Sequence, residues 1–150
     1  MSNSSGISKL EFLVLVAVIG VAATAFLQRV LDVEWESERT EVSLTVRNMR
    51  VGLSLAVGER LMRGQEDQLA ELLDANPTVF LGHLPRGYVA AATDAVRQGA
   101  WHFDPATRIL SYRPRQPEAF GGRQELRWKM TSRGSIGGRI AGIRLESLPN

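Results

Sequence analysis

The sequence predicts an α+β fold in which one long amino-terminal helix lies against a small antiparallel sheet, and three observations carry that expectation. No proline precedes Pro77, so a single helix can run from the amino-terminal region to about Arg63. Between about residues 100 and 147 the apolar period shortens to two, the spacing of strands with one dry face. The carboxyl-terminal half of the long helix is the one apolar surface large enough to cover that face. With 44% hydrophobic residues in 150, the chain can build one core of ordinary size.

The helix changes character along its length. Phe12 to Leu27 is apolar on every side and, with Ile7 to Leu10 added, reaches the roughly 20 residues that cross a bilayer. Trp35 stands just beyond, where an aromatic ring fixes helix depth at the interface or meets a neighbouring helix. An acidic collar follows, made of Asp32, Glu34, Glu36, Glu38 and Glu41. After it, Val42, Val46, Met49, Leu53, Val57 and Leu61 recur at helical steps and form one apolar stripe. Leu44, Val51, Leu55 and Met62 form a second stripe about half a turn away. Periodicity leaves two coverings open: both stripes buried inside one compact fold, or one against the protein's own sheet and the other against a different helix. Gly64 interrupts the helix, and Gln65 to Ala75 reads as a short helix ended by Asn76-Pro77.

Leu81 to Gly99 is a connector without a clear pattern. Trp101 and Phe103, then Leu110 and Tyr112, flank the turn Asp104-Pro105-Ala106-Thr107. Leu126, Trp128 and Met130 alternate with charged residues, as do Ala141, Ile143 and Leu145 with Gly142, Arg144 and Glu146. Four strands joined by turns suggest an antiparallel meander, with Trp101 and Trp128 on its buried face.

The amino-terminal run Gly6-Ile7-Ser8-Lys9-Leu10-Glu11, followed by Phe12-Leu13-Val14-Leu15-Val16-Ala17-Val18-Ile19-Gly20, resembles the type IV pilin and type II secretion pseudopilin superfamily. The resemblance implies a leader over residues 1–6, cleavage between Gly6 and Ile7 by a prepilin peptidase, and N-methylation of Ile7. It implies that residues 7–27 form the transmembrane and assembly segment, and residues 28–150 a periplasmic or extracellular pilin-like domain. Glu11, fifth after the implied cut, would assist assembly by meeting the terminal amine of a neighbouring Ile7. Opposite charges brought together in low dielectric relieve the desolvation cost each bears alone. Implied partners are the peptidase, other pilin or pseudopilin subunits, an inner-membrane assembly platform and the lipid bilayer.

Three features differ from the usual family pattern. The leader has no Lys or Arg, and Lys9 stands where an apolar residue is usual; near the helix end it can snorkel to the head groups. Basic residues Arg29, Arg39 and Arg47 follow the apolar segment, so a bare positive-inside count would place the larger domain in the cytoplasm. The resemblance implies the opposite orientation, with a cytoplasmic amino terminus and a single pass through the bacterial inner membrane. That orientation is the one expected here. The complete lack of cysteine excludes disulfides and thiolate metal sites, and sets the chain apart from major pilins with a disulfide-closed loop. A minor pilin or pseudopilin is therefore expected.

Chemistry of other kinds finds little support in these residues. His83 and His102 are the only histidines and lie far apart, and the acids form no calcium-loop pattern, so no metal or other cofactor is expected. Ser132 to Gly138 lacks the Lys-Ser/Thr ending of a phosphate loop and reads as a hairpin turn. No nucleophile, base and oxyanion set occurs, so no enzyme activity is expected. Arg113, Arg115, Arg123, Arg127 and Lys129 could attract DNA, but no nucleic-acid motif accompanies them, and DNA is not the expected partner. Two other readings stay open. Ala23-Thr24-Ala25 has the form read by signal peptidase, which would release a soluble binding domain starting at Phe26, and an uncut chain would be a single-span membrane scaffold.

Overall fold

A computed structural model of the chain describes residues 9–91, 93, 97–136 and 139–149. The chain divides into an amino-terminal unit ending at Ser37 and a compact unit from Glu38 onward. Helix α1, Lys9–Met62, contributes to both.

In the amino-terminal unit, Lys9–Val30 is a 22-residue stretch of mean hydropathy 2.5, none of it buried, and long and apolar enough to cross a membrane. Leu10, Phe12, Leu13, Val21 and Phe26 all present their side chains outward. The hydroxyl of Thr24 donates to the Gly20 carbonyl at 2.8 Å, so the polar side chain is satisfied within the helix.

The second unit is helix on sheet. Val42, Val46, Met49, Leu53 and Val57 of α1 are all buried, and they share one core with alternate residues of four strands. These are β2 (Ala100–Asp104), β3 (Ile109–Arg113), β4 (Leu126–Ser132) and β7 (Ile143–Ser147). Register brings core residues opposite one another: Trp101 pairs with Tyr112, Phe103 with Leu110, Leu110 with Trp128, and Met130 with Leu145. A shift by one residue would turn every one of them toward solvent, so burial of this face fixes the pairing. Trp101 and Trp128 stack with ring centroids 5.4 Å apart in the buried face.

Sheet order is β1 (Tyr88–Val89), then β2, β3, β4 and β7, the last four antiparallel. It differs from a plain meander at two places. The connector supplies β1, Tyr88–Val89, which pairs parallel to β2 and makes the sheet mixed and five-stranded. Gly87 permits this: it adopts φ +77°, its carbonyl accepts from Trp101 N at 3.0 Å, and a Cβ there would lie 2.2 Å from the Gly99 carbonyl oxygen. Between β4 and β7, where a simple turn is expected, β4 continues to Ser132. A two-stranded hairpin then follows, β5 (Ser135–Ile136) with β6 (Arg139–Ile140). Gly137 and Gly138 of the expected turn lie outside the described residues.

Helix α1 ends where Gly64 turns left-handed at φ +67°, with Gly64 N and Gln65 N bonding the carbonyls of Leu61 and Arg60. A 3₁₀ turn at Glu66–Gln68 leads into α2, Leu69–Asp74. Asn76 then caps a second 3₁₀ segment, Pro77–Leu81, by accepting from Thr78 N at 3.0 Å. That segment packs so closely on α1 that a Cβ at Gly52 would sit 2.1 Å from the Phe80 carbonyl oxygen. Gly52→Ala should therefore lower stability. Overpacking costs about 1–3 kcal/mol, against a propensity gain of about 1, and backbone with buried Pro77 and Thr78 would have to shift. A fall in the thermal midpoint of the detergent-solubilised chain checks this.

One stripe residue departs from expectation. Leu61 is 39% exposed and lines a cavity of about 650 Å³ with Arg133, Gly134, Ala141 and Gly142.

Candidate functional site

Three features of the described residues bear on function. Glu11 lies in the first turn of α1, among exposed apolar residues of the Lys9–Val30 segment. Gly6 and Ile7, the implied cleavage and methylation positions, lie outside the described residues.

The second feature is the apolar face of α1 turned away from the sheet. Leu44 is 50% exposed, Val51 52%, Leu55 70% and Met62 86%. Of the two coverings that periodicity allows for the stripes, burial of both within one fold does not occur. A helix face of this kind invites another apolar surface. Arg47 and Arg50 border it, and with Val51, Ser54 and Leu55 they line a shallow groove.

The third feature is a buried carboxylate. Glu38, four residues before Val42, falls on the buried stripe and is only 6% exposed. Its Oε1 accepts from the Tyr112 hydroxyl at 2.7 Å and from Arg115 N at 2.7 Å, while Oε2 accepts from Gln116 N at 3.1 Å. The charge is thus compensated by three donors and fastens α1 to the end of β3 and the residues after it. In the sequence Glu38 reads as one member of the acidic collar. The available signal was its spacing, since it continues the Val42-Val46-Met49 series by one turn.

Burial, and then the hydrogen bond to Glu38, push the Tyr112 hydroxyl well above the usual tyrosine range. Its folded pKa exceeds the unfolded value of about 10, so stability from this group is whole below that pH and is lost as pH rises toward the folded value. Alkaline titration of folding should show a decline beginning near pH 10 that Tyr112→Phe reduces.

Asp104 is held below the usual carboxylate range by the Thr107 hydroxyl at 2.7 Å and by Ala106 N at 2.9 Å. These bonds tie the β2–β3 turn, which Arg108 closes at φ +59°. His83 is exposed, and His102 is half-buried with Nδ1 3.3 Å from the Val89 carbonyl. Among the described residues no three metal-ligating side chains come together. Of the basic residues that could attract DNA, Arg115 packs over Gly99 and Arg127 donates to the Pro149 carbonyl at 3.4 Å.

Comparison of the chain with protein-family models, with curated proteins and with solved structures finds no match.

Proposed function

We propose that this chain is a structural subunit, a minor pilin or pseudopilin, of a type IV pilus or type II secretion-like fibre. In this proposal a prepilin peptidase cuts after Gly6, Ile7 is methylated, and the subunit waits in the inner membrane with its larger domain on the periplasmic side. Its activity is assembly rather than catalysis. The carrying observation is the Gly6-to-Gly20 pattern of the sequence, together with an apolar span at Lys9–Val30 and an exposed apolar stripe on helix α1.

Extraction from the bilayer is tolerable if the span exchanges lipid contact for neighbouring helices, a transfer between two apolar surroundings. The stripe Leu44, Val51, Leu55 and Met62 would gain a partner in the same event. Glu11 would supply the register by meeting the amine of an adjacent Ile7. A second reading rests on Ala23-Thr24-Ala25, whose small-x-small form suits signal peptidase and would leave a soluble binding domain. The amino-terminal residue in the native host separates them: Ile7 for a fibre subunit, Phe26 for a secreted domain, and Met1 for an uncut scaffold.

A further inference from the structure

Resting on that fibre reading, we infer that the acidic collar of one copy docks in an arginine-lined groove of the next. The groove lies between α1 and the edge strand β7, has a volume of about 370 Å³, and includes Arg50, Ser54, Arg133 and Arg144 in its wall. Three arginines stand in its lining, and Glu146 pairs with one of them. Arg50 is held there by its Nε, which donates to the Leu145 carbonyl at 3.1 Å, and Arg144 is braced by Glu146. Arg47 extends the basic rim along the helix. Guanidinium groups fixed around one cleft repel one another and present forked donors to carboxylates.

The matching anions are on the same chain. In sequence Asp32, Glu34, Glu36 and Glu41 follow the apolar span, and Glu36 and Glu41 are exposed on α1. Two copies that enter the bilayer through the same span have parallel helices. Side by side at equal height they would set collar against collar, with like charges opposed. Collar meets groove only if one copy is displaced along the helix by about 9–14 Å, the rise from Glu41 to Arg47 and Arg50 at 1.5 Å per residue. Such a head-to-flank contact leaves one collar and one groove open at the ends, so it repeats rather than closes.

Because the chain has no cysteine, introduced thiols report the contact without background. Full-length copies bearing different tags, one with Ser37→Cys beside the collar and one with Ser54→Cys in the groove, are co-expressed in the native host and treated with a short bis-thiol cross-linker. The mixed pair should cross-link at least ten-fold more than either same-site pair. Glu36→Gln with Glu41→Gln, both at exposed helix positions, should reduce that product at least five-fold. Arg133→Glu with Arg144→Glu should abolish it, and Glu36→Arg with Glu41→Arg should restore it. Same-site products that equal the mixed one, or a mixed product unaffected by the collar variant, would overturn the docking. The amino terminus of the same material is read in parallel. Absence of the mixed product from chains beginning at Ile7 overturns the docking and leaves the fibre reading intact. A mixed product from chains beginning at Met1 or Phe26 supports the contact and overturns the fibre.

Discussion

Glu11→Ala is expected to insert into the membrane as well as the parent chain and to be lost from fibres at least ten-fold. The two halves of that outcome follow from one group. A carboxylate at the centre of a span costs roughly 2.5–3.5 kcal/mol on insertion scales, and less near the edge, so its removal cannot hinder entry into lipid. In the proposed fibre its value would lie in meeting an ammonium in a setting of low dielectric, where a lost partner leaves a charge uncompensated. Glu11→Gln should behave like alanine, because it keeps the shape and removes the charge. Fractionation of membranes and sheared fibres from the native host measures both halves at once. Wild-type levels of Glu11→Ala in fibres would remove the residue from the assembly step.

Glu38→Ala is expected to lower the stability of the second unit by about 2–4 kcal/mol, since hydrogen bonds to a charged group are worth about 1.5–3 kcal/mol and buried donors left without acceptors cost about 1–3 each. Three donors would lose their acceptor: the Tyr112 hydroxyl, Arg115 N and Gln116 N. Tyr112→Phe should cost less, about 1 kcal/mol, and the two changes together should cost less than their sum because they share a bond. Denaturant unfolding followed by tryptophan fluorescence is suited to this, as the Trp101 ring lies 4.6 Å from that of Tyr112. The parent exposed glutamate, Glu36, provides the contrast: Glu36→Ala should change stability by less than about 0.5 kcal/mol.

Long, repeated patterns in the sequence foretold the elements they govern. Val42 through Val57 is legible because a period of 3.6 persists over more than four turns, and the strands because alternation ends at recognisable turns such as Asp104 to Thr107. Tyr88–Val89 is not legible. A two-residue strand has no measurable period, and backbone freedom at Gly87 rather than side-chain pattern places it beside β2. The β5–β6 hairpin is hidden likewise in a glycine-rich stretch. Leu61 keeps the helical period yet is 39% exposed, because a periodic stripe marks a helix face and not how deeply each residue on it is covered.

Glu38 illustrates a deeper limit. Charge patterning groups it with its neighbours, whereas its environment is set by Tyr112, Arg115 and Gln116, which are 74, 77 and 78 residues away. Two of those three contacts use backbone N–H groups, which every residue but proline carries and no side-chain pattern reveals. The exposed face at Leu44, Val51, Leu55 and Met62 was visible as a stripe, but periodicity alone could not say whether the chain would cover it.

The central claim is that the mature protein begins at Ile7 and enters a fibre by its amino-terminal helix. Mass spectrometry of the amino-terminal peptide, taken from the protein in its native host, tests it most directly. The account predicts N-methylated Ile7 as the first residue; a chain starting at Met1 or at Phe26 would contradict it.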